Sequence, residues 1–266
     1  MTSATATRIG GYAHRYLTAK PRTGSVASTF RHGFNVLFDE ETQPGFVSIQ
    51  SQDVPLHPWA LEVPNIADEI QLGSAVSAES SRISLRPTTI HWQRATRYAL
   101  QIIPYTNEKA KRALSRLSSL DRFLEQDRVK RDPNPFRPQI DAILKRWKEA
   151  GDSKAPLDLV GLGTGSTPAG DDALVGLAAG FTALDKGENL RLPRAASVRS
   201  NTSLASAQMI AAALDGAFPE PLCDLVAALG REDVDEAEIR GLAERLVALG
   251  ANSGWMMLHG LSVALG

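Results

Sequence analysis

The spacing of apolar residues changes near residue 107, and that change limits the architecture more than any other feature. From Ser25 to about Gln93 the period is two. "GFVSIQ" alternates Phe46, Ser48 and Gln50 against Val47 and Ile49, and "SVASTFRHGFNVLF" sets Val26, Phe34, Val36 and Phe38 among turn residues. Prolines 44, 55, 58, 64 and 87 punctuate the stretch at loops or edges. The spacing fits a small antiparallel barrel or sandwich. From Asn107 onward the period is helical. Ala110, Leu114, Leu117, Leu120 and Leu124 form one stripe, with Lys and Arg opposite and Asn107 as the expected N-cap. A second short amphipathic helix, "IDAILKRWKEAG", ends on Gly151. Further helices are expected at about 172–186, 202–215, 219–230, 234–249 and 253–265. The fold class is therefore α+β: a β-rich N-terminal domain, 1–106, packed on a mainly helical C-terminal domain, 107–266.

A chain of 266 residues can bury a core of that size. With 29 basic and 30 acidic residues, no net field favours nucleic acid or anionic lipid. No window approaches a membrane span, and the N-terminus lacks a signal-peptide core. The lone Cys223 suits a reducing, cytoplasmic setting and reads as a buried, inert thiol. The five histidines show no metal-ligand spacing, and no G-x-S-x-G elbow is present, so a hydrolase ranks low.

One stretch interrupts the helical pattern with unusual backbone freedom: "GLGTGSTPAGDD", Gly161 to Asp172. It is not a nucleotide P-loop, because no lysine follows Gly165 until Lys186. It is a poor dinucleotide fingerprint, because Gly161, Gly163 and Gly165 give G-x-G-x-G and Asp185 closes a helix rather than a strand. What remains is physics common to both. Glycines let an anion approach peptide N–H groups, and the following helix adds its positive dipole end. Gly163, Thr164, Gly165, Ser166, Thr167 and Gly170 are the candidate cradle for a carboxylate or phosphate. One aspartate is expected to cap a helix beginning at Ala173. The other is left for Mg²⁺, a substrate amide or general-base work, so Asp171 and Asp172 are the candidate catalytic pair. Two more helix starts have the same polar character: Arg199, Asn201, Thr202 and Ser203, and Asn252, Ser253 and Gly254. Either the three starts converge on one pocket, with Arg199 as an anion fork, or they are independent caps.

At this loop the chain resembles a family that includes a subunit of bacterial oxamate carbamoyltransferase, from the anaerobic allantoin pathway. The family signature is roughly G-L-G-P-G-L-T-P-S-G-D-D before a leucine-rich helix. "GSVASTFRHGFNVLF", "NTSLASAQMIAAALDGAFPEPLCDLVAAL" and "GANSGWMMLHGL" extend the likeness along most of the chain. Thr164, Ser166 and Ala169 stand where the family has proline, leucine and serine. Ala251 and Met256 replace a histidine and an aspartate. The resemblance implies a hetero-oligomeric enzyme that moves a carbamoyl group between phosphate and the nitrogen of oxamate. It implies no redox cofactor, loop N–H groups on the anion, and an aspartate on the amide N–H. Two alternatives stand beside it. One is a non-catalytic ligand-binding or assembly subunit. The other is a nucleotide-binding enzyme of another class, which would bind ATP or NAD in calorimetry.

Overall fold

A computed structural model describes residues 2–39, 45–64, 66, 70–79, 81–131, 134–152, 154–186 and 200–266. The chain divides into two compact units, Met1–Leu100 and Gln101–Gly266.

The first unit is a single ten-stranded sheet curled into a half-barrel, with one described helix. Its strands are β1 (Thr2–Thr5), β2 (Arg8–Gly10), β3 (Arg22–Phe30), β4 (Gly33–Phe38), β5 (Gly45–Gln50), β6 (Ala60–Glu62), β7 (Ala75–Glu79), β8 (Arg82–Leu85), β9 (Thr88–His91) and β10 (Thr96–Tyr98). Their order is β1-β9-β8-β7-β3-β4-β5-β6-β2-β10. The centre is antiparallel, as the alternation predicts. Three pairs are parallel: β1 with β9, β5 with β6, and β2 with β10. The strand order ends on β1 and β10, which form the two edges of the sheet. Period two is visible in the burial itself: Phe34, Val36 and Phe38 of β4 point inward, as do Val76 and Ala78 of β7. Helix α1 (Gly11–Ala19) buries Ala13 and Leu17 in the same core.

The second unit is helical: α2 (Asn107–Arg131), α3 (Arg137–Ala150), a 3-10 turn (Ala155–Leu159), α4 (Ala169–Ala183), α5 (Leu204–Leu214), α6 (Glu220–Gly230), α7 (Glu236–Val247) and α8 (Ser253–Leu265). Asn107 lies inside α2 rather than capping it. Thr106 takes that role, accepting from the Lys109 N–H at 3.4 Å. Gly151 ends α3 at φ 65°, the left-handed stop expected of it. Apart from Asp171, Asp172 and Thr182, helix α4 is apolar on all sides, and every residue of it except Thr182 is buried. It packs on α8 through glycines. A Cβ on Gly176 would lie 1.9 Å from the Met257 carbonyl oxygen, and one on Gly260 would lie 2.0 Å from that of Ala173. The two backbones touch because neither glycine has a side chain. Trp147 meets Phe181 edge-on at 5.4 Å, and Trp255 is buried in the same core.

Candidate functional site

The glycine loop leaves the 3-10 turn at Val160 and delivers the chain into α4. Its shape is set by three left-handed residues, Gly161 (φ 74°), Gly163 (φ 127°) and Gly165 (φ 94°). Two of them are also enclosed. A Cβ on Gly161 would fall 2.0 Å from the Asn201 carbonyl oxygen, and one on Gly163 2.7 Å from the Ala169 nitrogen. Gly165 is different, with nothing within 4 Å of where its Cβ would stand. The loop is thus clamped at its base, while Thr164, Gly165 and Ser166 form an exposed tip. Gly170 continues the clamp: its N–H donates to the Leu162 carbonyl at 2.8 Å, and no Cβ would fit beside the Leu159 carbonyl.

Helix α4 begins at Ala169, four residues before the expected start. Pro168 occupies the N-cap position and contributes no side-chain cap. Asp171 and Asp172 are consequently not caps; both lie in the first turn with their side chains buried. A proline that cannot extend a helix backward fixes the start, and the aspartates follow it inward.

The two carboxyl groups differ sharply. Asp171 is a hub. Its Oδ1 accepts from the Gly161 N–H at 2.8 Å; its Oδ2 accepts from the Ser206 hydroxyl at 2.7 Å and from the Thr202 hydroxyl. It ties the loop base and the start of α5 to α4. Asp172 has an Oδ2 with no hydrogen-bond partner, although the residue is only 3 % exposed. Burial pushes its carboxyl well above the usual carboxylate range. Hydrogen bonding from Ser253 and Thr167 pulls the other way, and the neighbouring charge of Asp171 adds to the rise. The shift is toward the protonated form of Asp172.

The other two helix starts join the same cluster. Ser203 caps α5, accepting from the Ser206 N–H at 3.1 Å, and its hydroxyl donates to the Ser166 carbonyl. The Ser253 and Thr167 hydroxyls lie 3.0 Å apart, linking the start of α8 to the loop. Asn252 holds the N-cap position of α8, and its Oδ1 is buried with no partner. Gly254 lets α8 approach α7: a Cβ there would lie 1.8 Å from the Leu246 carbonyl oxygen. Arg199 lies outside the described residues. Sequence reasoning missed Ser206. Its signal was a hydroxyl three residues past a capping serine, at the head of an otherwise apolar helix.

A Mg²⁺ ion at this pair would compete with the three donors that already converge on Asp171. Among the described residues no group of three His, Cys, Asp or Glu could hold a metal. Cys223 is not a nucleophile in waiting, since burial pushes its thiol up to about 12. His259 is engaged elsewhere, 2.7 Å from Asp141 and 3.0 Å from Arg137.

The buried Asp172 gives a pH prediction. Below a carboxyl's ordinary pKa of about 3.9, folded and unfolded chains are both protonated and Asp172 costs nothing. As pH rises past that value only the unfolded chain ionises. Stability then falls by up to ~1.4 kcal/mol per pH unit until the folded-state carboxyl also titrates. Asp172→Asn, an isostere of the neutral acid, is expected to abolish this loss. Urea unfolding at about pH 4 and about pH 7.5 checks it: the variant should gain stability over wild type only at the higher pH. An unchanged pH slope would contradict the raised Asp172 carboxyl.

Two family profiles match the chain. Residues 159–265, which hold the loop and the three joined helix starts, match the family described as oxamate carbamoyltransferase subunit AllH. Residues 5–97, nearly the whole sheet unit, match the AllH family N-terminal domain. No curated protein and no solved structure matches it. No helix among the described residues is long and apolar enough to cross a membrane. With both halves matched, the chain belongs to the AllH family.

Proposed function

We propose that this chain is a subunit of a hetero-oligomeric oxamate carbamoyltransferase, and that its glycine loop holds the carboxylate or phosphate of a substrate. One observation carries the reading. No described residue accepts from the N–H groups of Thr164, Gly165, Ser166 or Thr167, and the loop they form stands at the start of a buried helix with no side-chain cap. Consecutive free N–H donors backed by a helix dipole favour an anion. Oxamate, oxalurate and carbamoyl phosphate all carry one.

Within this reading the aspartates have separate roles. Asp171 is a positioning residue: its Oδ1 holds the loop base and its Oδ2 holds the start of α5. Asp172 is the candidate catalytic residue. Its unpaired oxygen belongs to a carboxyl that tends to keep its proton, which suits it to donate a hydrogen bond to a carbonyl or amide group. The carbamoyl group would pass between phosphate oxygen and the oxamate nitrogen, with proton movement beside Thr167 and Ser253. The second reading, binding without turnover by the lone chain, is favoured by one fact: both aspartates are almost fully buried. Completion of the active site would then fall to other subunits.

Titration calorimetry with oxamate and with carbamoyl phosphate tests the anion site. Ser166→Glu places a negative charge on the exposed tip and is expected to weaken binding by at least about 10-fold, roughly 1.4 kcal/mol, without lowering the melting temperature. Binding that ignores this charge would remove the loop from the site. Carbamoyl transfer by the purified chain alone would overturn the second reading.

A further inference from the structure

A polar cavity lies in the sheet unit, far along the sequence from the glycine loop. Strands β3 and β4 are joined by a two-residue turn, Arg31 and His32, because Phe30 pairs with Gly33. Gly33 also pairs with Gln50, the last residue of β5, and Gln50 pairs with Glu62, the last residue of β6. The turn and the exits of β5 and β6 therefore meet at one end of the sheet. There they enclose a cavity of about 360 Å³, within the range of small-molecule sites. The Ser51 N–H donates to the His32 carbonyl at 2.8 Å, which fixes the turn against the β5 exit.

The lining divides by chemistry. Phe30, Ile66 and Ile70 supply an apolar wall, and Phe30 is 41 % exposed despite its size. A Cβ on Gly33 would lie 2.9 Å from the tip of the Phe30 ring, so the absent side chain gives that ring its seat. Arg31 stands on the rim and forms no ion pair among the described residues. Asp53 lines the same cavity, and among the described residues its carboxylate accepts only from the Ser51 hydroxyl, at 3.4 Å. A cation with no ion pair among the described residues, a carboxylate and an exposed aromatic wall in one cavity are complementary to a zwitterion with an apolar tail.

We propose that this cavity binds a free hydrophobic amino acid. Its α-carboxylate meets the Arg31 guanidinium, its α-ammonium meets Asp53, and its side chain lies against Phe30 and the two isoleucines. The site is independent of the glycine loop and does not rest on the carbamoyltransferase reading. Calorimetry on the full chain with L-leucine and L-phenylalanine tests it. N-acetyl-L-leucine removes the ammonium charge and L-leucinamide removes the carboxylate. Saturable binding of leucine or phenylalanine is expected, with each blocked analogue at least about 10-fold weaker. Arg31→Gln and Asp53→Asn are exposed substitutions that should spare the fold and each weaken leucine by a similar factor. Three results would overturn the proposal: no saturable binding of either amino acid, N-acetyl-leucine bound as tightly as leucine, or variants that bind leucine as the wild type does.

Discussion

Gly260→Ala is expected to destabilise the helical unit by about 3 kcal/mol or more, from the addition of one methyl group. The methyl would stand 2.0 Å from the Ala173 carbonyl oxygen and 2.7 Å from the Leu177 nitrogen. Both are backbone atoms of α4, so no side chain can swing aside. Either α8 moves off α4 or the helix pair opens. Opening it would strip contacts from Leu174, Leu177, Met257 and Leu261, all buried in one cluster. Gly241→Ala is the matching control. It lies inside α7 with nothing within 4 Å of its added methyl, and should gain roughly 0.5–1 kcal/mol from reduced chain entropy. Urea midpoints of the two variants should move in opposite directions. Equal small effects would mean that α4 and α8 do not touch as described.

Asp171→Ala is expected to cost about 3–5 kcal/mol and to abolish anion binding at the loop. Three donors lose their acceptor together: the Gly161 N–H and the hydroxyls of Thr202 and Ser206. Each buried donor left unsatisfied costs ~1–3 kcal/mol, and Ser206 is 2 % exposed. Asp171→Asn is no rescue, since its amide nitrogen turns a donor toward donors. The contrast with the adjacent residue is sharp. Asp172→Asn should stabilise the protein near neutral pH, while Asp171→Asn should destabilise it. Two neighbouring carboxyls with opposite responses would separate the positioning residue from the candidate acid. Loss of affinity in Asp171→Asn with an unchanged melting temperature would instead place Asp171 on the ligand.

Much of the helical unit was readable from the sequence, because apolar stripes and glycine stops mark helices whatever packs on them. Helices α5 to α8 begin and end within about two residues of their expected limits. The sheet's beginning was not readable. Thr2–Thr5 contains no large apolar residue and is mostly exposed, so it carries no alternation to detect. Its identity as a strand comes from pairing with Thr88–His91, some 86 residues away. The same holds for β2 and β10. Parallel pairing depends on distant partners rather than on local turns. At the site, the loop glycines and the three polar helix starts were legible as residue types. The division of labour between Asp171 and Asp172 was not. Two identical neighbours project about 100° apart on a helix, and only the surroundings reveal that one meets three donors while the other keeps an unpaired oxygen.

The clamped base and open tip of the loop also determine where new specificities can arise. Gly161, Gly163 and Gly170 have backbone atoms of neighbouring segments where a side chain would go, so they cannot record a change of ligand. Thr164 and Ser166 are exposed and carry none of the loop's own architecture on their side chains. With the loop as the proposed anion site, a combinatorial library confined to Thr164 and Ser166 should yield folded proteins at nearly every combination, differing mainly in which anion they prefer.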